Sequence, residues 1–321
     1  GDFDGDGDMD YVLTNLGLNT KYSASVEHPY IAYYGDFEGK GRSCFVEALF
    51  EDKVLLPVRG KSCSTHAMPH LAQRFTNFHT FASATLEEIY SSAKLGQADK
   101  LEVNTLQGGV LINHGDFKFV FEPLPRLAQI SPGFGVVTTD ADADGFTDIL
   151  MVQNSYAPQP ETGRMAGGVG LLLRGDGRGS FTPVRPDESG FLVPGDAKAL
   201  TTTDLNGDGW VDLVATRNNA TPVAFRNRGG EGNRPIGIFL TGPKGNPHSI
   251  GAKVTVTLDS GRTMTAELYA GGGYLSQSSP RLFFGRKASE KMTGIEVRWP
   301  DGQPNAYEPE GTEILLNLSP D

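Results

Sequence analysis

The chain has 321 residues and a formal net charge of -11, which argues against a protein that coats nucleic acid, because the phosphates would be repelled. With 41 Gly, 20 Pro and 38% hydrophobic residues it has the makings of short strands, frequent turns and a real core rather than of long helices or disorder. No run of 18 apolar residues occurs, so no transmembrane helix is expected.

The first segment, GDFDGDGDMDYVLTNLG, is an Asp-rich loop running into an apolar strand. It opens at Gly1, without an initiator Met and inside the motif, and so reads as a piece of a longer protein whose leader and upstream repeats lie elsewhere. Residues 36–44, DFEGKGRSC, resemble a degenerate copy: Asp36, Glu38 and Gly41 fit, but Lys40 and Cys44 stand where ligands belong, so no ion is expected there. From about 40 to 100 the strand pattern breaks, with a helical insertion expected over about 60–100. Pro69 is placed to open a helix carrying HLAQRF, and TLEE from Thr85 to Glu88 forms a capping box, so the stretch reads as a helical insertion. Cys44 and Cys63 are the two cysteines; a disulfide and a pair of buried thiols both fit.

Beyond the insertion the chain repeats itself. GVVTTDADADGFTDILMVQ (135–153) and ALTTTDLNGDGWVDLVATR (199–217) each run strand, Asp loop, strand. A second element, a strand and a Gly turn leading to an aromatic residue, recurs as GVLINHGDFKF (109–119) and GLLLRGDGRGSF (170–181), and more weakly as VAFRNRGG (223–230). A unit of roughly 60 residues with about four strands has the size of a propeller blade. The Gly-rich stretch 229–236 reads as a linker. After it, IGIFL, AKVTVTL, TMTAELY, RLFFG, TGIEVRW and EILLNL alternate as strands of a small sandwich or barrel. The expected organisation is all-β: blades over 1–234, with the insertion inside them, and a separate β domain over 235–321.

Three Asp loops carry the chemistry. They offer Asp2, Asp4, Asp6 and Asp10; Asp140, Asp142, Asp144 and Asp148; and Asp204, Asn206, Asp208 and Asp212, always at positions 1, 3, 5 and 9. Gly7, Gly145 or Gly209 at position 6 lets the backbone turn, and position 7 (Asp8, Phe146 or Trp210) supplies a main-chain carbonyl. Such a set meets the six to eight oxygens calcium requires, so two or three Ca²⁺ ions are expected. Magnesium prefers to keep its waters, and zinc would want the His or Cys that these loops lack. The spacing follows the first half of an EF-hand loop, but Leu13, Met151 and Ala215 stand at position 12 in place of Glu, and the apolar run after position 9 indicates strand rather than helix.

Other features have plain structural readings. Arg174-Gly175-Asp176 is the integrin-recognition tripeptide inside a repeated turn, and His66, His70 and His79 cluster in sequence around Pro69. Asn219-Ala220-Thr221 and Asn317-Leu318-Ser319 are glycosylation sequons. No local motif for nucleophilic catalysis is present.

The Asp loops resemble the FG-GAP, or VCBS, repeats of integrin-type propellers. NPHSIGAKVTV (246–256), AGGGYLSQSS (270–279), LFFG (282–285) and VRWPDG (297–302) resemble the ASPIC/UnbV domain. Together they resemble the cartilage acidic protein family and its bacterial relatives. The resemblance implies an extracellular, calcium-stabilised propeller of about seven blades followed by a small β-domain, with calcium carried by the loop positions named above. A secreted or cell-surface module that binds a protein or glycan follows from it. A polysaccharide lyase or glycosidase built on a similar propeller, and a structural spacer of a large surface protein, are the competing readings. The stretch Gly271-Gly272-Gly273-Tyr274 is read either as a binding loop or as tight packing.

Overall fold

The computed structural model describes residues 1–160, 162–309 and 315–320. The chain divides into two compact units, one made of residues 1–19 and 107–321, the other of residues 20–106.

The first unit opens with three antiparallel sheets. Strands Tyr11–Leu13, Gly109–Asn113 and Phe119–Pro123 form the first, with Tyr11 opposite Leu111 across the 20–106 excursion. Gly133–Thr139, Asp148–Gln153, Leu171–Gly175 and Phe181–Val184 form the second as a simple meander. Ala197–Thr203, Asp212–Arg217 and Ala220–Phe225 form the third.

The apolar run DILMVQ is a strand buried at every position, because it is the inner strand of a sheet covered on both faces. Its side chains alternate between two cores. Ile149 and Met151 join Phe3, Val110, Ile112 and Leu173 on one side, whereas Leu150 and Val152 join Val137, Leu200, Leu213 and Ala215 on the other. Each such side chain contributes about 1.5–3 kcal/mol on burial. At Gly135 the second and third sheets approach so closely that a Cβ would lie 2.6 Å from the Leu200 amide nitrogen. That contact explains the glycine directly before the β-branched run Val136–Thr139.

The C-terminal part of this unit is a two-sheet sandwich. One sheet has the order Arg281–Lys287, Asn233–Leu240, Leu315–Leu318, with the last pair parallel. The other has the order Thr263–Glu267, Lys253–Leu258, Met292–Arg298, Pro304–Tyr307. Ile236, Ile238, Leu240, Val254, Val256, Phe284, Ile295 and Val297 fill the space between them, with Trp299 just past the end of its strand. Of the strand expected over 313–318, residues 313 and 314 lie outside the described residues.

The second unit is a four-stranded sheet of order Val54–Pro57, Cys44–Glu51, Tyr30–Gly35, Asp99–Val103, packed against five short helices between Lys61 and Gln97. Ile31, Val46, Met68, Leu71, Phe81, Leu86 and Ile89 make its core. The helix opened by Pro69 spans His70–Arg74, and the Thr85 capping box is formed, with the Glu88 carboxylate accepting from Thr85 N at 2.8 Å. The helical stretch is thus one layer of a unit that has its own sheet on both sides of it in sequence. The degenerate Asp36 loop is the hairpin between two of this unit's strands, where Gly35 pairs with Cys44.

Candidate metal centre

The Asp140 loop is built by the pairing of the strands that flank it. Thr139 lies opposite Asp148, which brings positions 1 and 9 of the loop side by side. The loop is then knitted by its own carboxylates. Asp140 accepts from Asp144 N at 3.1 Å and from Gly145 N at 2.8 Å, and Asp144 accepts from Phe146 N at 2.9 Å. Asp148 accepts from Ala141 N at 3.0 Å and, with its other oxygen, from Gly175 N at 2.9 Å. Gly145 takes φ of 90°, a left-handed conformation that favours glycine.

Asp140, Asp142 and Asp148 each bring one oxygen to within 4.8 Å of the others. Asp142 Oδ2 pairs with Arg174 Nε at 2.9 Å, whereas its Oδ1 is buried without a hydrogen-bond partner. Burial, reinforced by Asp148 and Asp144, pushes the Asp140 carboxyl well above the usual carboxylate range. Burial likewise pushes Asp148 up to about 7 and raises Asp144, the neighbouring carboxylates adding to each shift. The cluster is therefore strained as long as it is fully ionised without a counter-cation.

The first loop repeats the arrangement. Asp2, Asp4 and Asp10 bring an oxygen apiece to within 4.8 Å of one another. Asp2 accepts from Gly5 N at 2.8 Å and Gly7 N at 3.2 Å, and Asp10 accepts from Phe3 N at 2.7 Å and Asn113 N at 2.8 Å. Burial pushes Asp2 up to about 6 and raises Asp10. In both loops positions 1, 3 and 9 converge. The position-5 residues Asp6 and Asp144 lie outside these triads; Asp6 accepts from Asp8 N at 2.8 Å.

The third loop keeps the backbone pattern with fewer charges. Asp204 accepts from Gly207 N at 2.7 Å and Gly209 N at 3.0 Å, and Asp212 accepts from Leu205 N at 2.8 Å and Asn227 N at 2.7 Å. Asp208 is tied to Asn206 Nδ2 at 2.7 Å and to Trp210 N at 3.0 Å. Here Arg281 adds a guanidinium, its Nη1 lying 2.5 Å from Asp204 Oδ2.

Position 9 has a second role that residue spacing alone does not reveal. Asp10, Asp148 and Asp212 each spend one oxygen on the loop and the other on a backbone N–H at or just past the end of the following strand, at Asn113, Gly175 and Asn227. Those three residues sit in the second repeated element of the sequence. The two repeats are thus halves of one hydrogen-bonded device, and their co-occurrence was the available signal.

Several other singled-out residues are engaged locally. Arg174 of the RGD tripeptide is bound to Asp142, and Asp176 closes its own turn by accepting from Arg178 N and Ser180 N. The Asp36 carboxylate accepts four backbone N–H groups, from Glu38, Gly39, Lys40 and Gly41, while Glu38 pairs with Lys40 and His70. Cys44 and Cys63 are both free thiols. The 270–279 stretch runs along strand Ala197–Thr203: Ser276 Oγ donates to Leu200 O, Thr201 Oγ1 donates to Gln277 O, and Ser279 N donates to Thr202 O. Tyr274 packs edge-on against Phe134 at 5.1 Å. These contacts make residues 276–279 a clamp between the sandwich and the third sheet, whereas a side chain at Gly271 would meet open space and Leu275 is exposed. Beside the clamp, a crevice of about 720 Å³ is lined by Asp2, Asp10, Asp140, Glu267, Tyr269 and Gln277 among others.

Residues 242–319 match the family model described as ASPIC and UnbV. The match covers the sandwich apart from its strand Asn233–Leu240, and it includes the clamp, the strand carrying LFFG and the VRWPDG turn, from which Trp299 Nε1 donates to Asn305 Oδ1 at 2.7 Å. No curated protein matches the chain.

Proposed function

We propose that the chain is a calcium-stabilised binding module of an extracellular or cell-surface protein, its three Asp-loop sheets being propeller blades of the FG-GAP/VCBS kind. One observation carries the reading: Asp140, Asp142 and Asp148 aim oxygens at one small region, and the buried Asp142 Oδ1 there has no hydrogen-bond partner. A hard cation that takes many oxygens at flexible geometry fits that donor set better than magnesium or zinc.

Asp140, Asp142, Asp144 and Asp148 with the Phe146 carbonyl would hold one ion. Asp2, Asp4, Asp6 and Asp10 with the Asp8 carbonyl would hold another. Asp204, Asn206, Asp208 and Asp212 with the Trp210 carbonyl make a weaker third site, since one carboxylate is replaced by Asn206 and Arg281 already offsets part of the charge on Asp204. The ion supplies counter-charge and rigidity. The protein or glycan partner is met by the blade loops and by the crevice beside the clamp, a rigid scaffold presenting its connections in the manner usual for recognition.

Calorimetric titration of the full chain with calcium and with magnesium, alongside thermal unfolding, tests this. Two tight calcium steps per chain and a melting temperature that rises with calcium are expected, and magnesium should not reproduce either. An ion at a hundred times its Kd stabilises by about 2.7 kcal/mol. Absence of saturable calcium binding would sink the proposal.

A further inference from the structure

The Asp140 loop is gripped on three of its backbone carbonyls by side chains from later in the chain. Asn227 Nδ2 donates to Ala141 O at 2.8 Å, Asn233 Nδ2 to Asp142 O at 3.0 Å, and Arg262 Nη1 to Asp144 O at 2.6 Å. Between them Ala143 is 1% exposed, with φ of 55°. It is packed so tightly against Gly285 that a Cβ on that glycine would lie 2.1 Å from the Ala143 Cα. Arg262 is itself fixed by Glu290 at 3.0 Å and lies over the Phe146 ring at 5.2 Å.

Asn233, Arg262 and Gly285 all belong to the sandwich. The other two loops receive one basic side chain each from the same source: Lys253 donates to Gly7 O, and Arg281 pairs with Asp204. Among the described residues, side chains hold two carbonyls of the first loop, Lys253 on Gly7 O and Asn113 on Met9 O, whereas they hold three of the Asp140 loop, which is also packed directly against the backbone at Gly285.

We infer that the Asp140 loop is the joint through which cation binding sets how firmly the C-terminal sandwich docks on the blades. The carbonyls that Asn227, Asn233 and Arg262 hold belong to Ala141, which lies between two ligands, and to the ligands Asp142 and Asp144 themselves. Clustered carboxylates without a counter-cation repel one another, and any splaying of them moves those carbonyls. A hydrogen bond lost beyond about 3.5 Å no longer contributes, so the docked sandwich selects the drawn-in loop. Coupling of this kind is reciprocal: whatever the cation does for docking, docking does for cation affinity. The inference rests on the calcium reading above.

Two measurements on the full chain test it. Hydrogen exchange of residues 259–263 and 270–279 is followed with calcium and with chelator, and calcium affinity is measured for the wild type, Arg262→Met, Arg262→Lys and Asn233→Ala. None of these substitutions removes a metal ligand. Calcium should slow exchange in both segments several-fold. Arg262→Met and Asn233→Ala should each weaken the affected calcium step by about 5- to 10-fold, and Arg262→Lys should recover part of that loss. If wild-type chain binds no calcium, the calcium reading fails and this inference goes with it. If wild type binds calcium, but both variants bind it equally well and exchange in the two segments ignores the ion, the coupling is overturned while the calcium reading stands.

Discussion

At the scale of single residues, the loop positions divide by what else they do. Asp142 keeps a buried oxygen with no hydrogen-bond partner, whereas Asp148 has both oxygens on backbone N–H groups. Asp142→Asn should therefore weaken calcium binding by at least tenfold and leave the melting temperature in chelator nearly unchanged. Asp148→Asn should lower the melting temperature in calcium and chelator alike, because its amide can no longer accept from both Ala141 N and Gly175 N; a buried donor left unpaired costs about 1–3 kcal/mol. Equal behaviour of the two variants in paired thermal scans would refute that division. The shifted carboxyls also set a pH response. Burial holds Asp148 at about 7 and Asp2 at about 6 and raises Asp140, all above an unfolded value near 3.8. Such groups bind protons more tightly when folded. Their ionisation penalty is in full force above pH 7 and is gone below about 4. In chelator, acidification from pH 8 to 5 should therefore raise the melting temperature, and saturating calcium should flatten or reverse that trend. A chelated protein that loses stability over the same range would contradict it.

At the scale of elements, the Asp loops, the strands around them and the capping box at Thr85 were legible, because each depends on residues close in sequence. Position 1, 3 and 9 oxygens converge as the spacing implies in the first two loops. What spacing could not supply were the partners brought in from afar: Arg174 on Asp142, Arg281 on Asp204, and the 276–279 clamp on the third sheet. A lone Arg in a turn looks the same whether it faces solvent or a carboxylate. On sequence the glycines 271–273 favour tight packing over a binding loop, and the structure packs only Gly273, against Ser276, while Gly271 stays open. Gly135 gives a test of the packing between sheets. A methyl group there would meet the Leu200 amide at 2.6 Å and the Lys198 carbonyl at 2.8 Å, both backbone atoms that no rotamer change can move aside. Its own φ lies outside the left-handed region, so steric crowding acts alone. Gly135→Ala should cost about 1–3 kcal/mol by overpacking. The loss should appear in denaturant midpoints with and without calcium, and a neutral result would show that the two sheets part easily.

At the scale of the whole molecule, the first sheet is closed across an excursion of the chain. Tyr11, Val12 and Leu13 pair with Leu111, Val110 and Gly109, so the segment between 19 and 107 contributes nothing to that sheet. The points where the chain leaves and returns are near one another: Asn15 Nδ2 donates to Gln107 O at 3.3 Å, and a Cβ on Gly108 would lie 3.1 Å from Leu13 O. Leu18 and Asn19 are tied down as well, both donating from their backbone N–H to Gln129 O. Closing a short loop between such ends costs modestly less than closing the native excursion, by about 0.6 kcal/mol per halving of loop length. Residues 20–106 also have a core of their own, with Leu71, Leu86 and Ile89 almost fully buried among Met68, Phe75 and Phe81. Replacing residues 20–106 by a short Gly/Ser linker should therefore leave a cooperatively folding chain that binds calcium as the parent does. The excised segment, expressed alone, should keep its helical circular dichroism and unfold cooperatively. Insertions of this kind tolerate removal when few interactions cross the boundary. A deleted chain that aggregates or melts without cooperativity would show that the three Asp-loop sheets depend on the insertion for their fold.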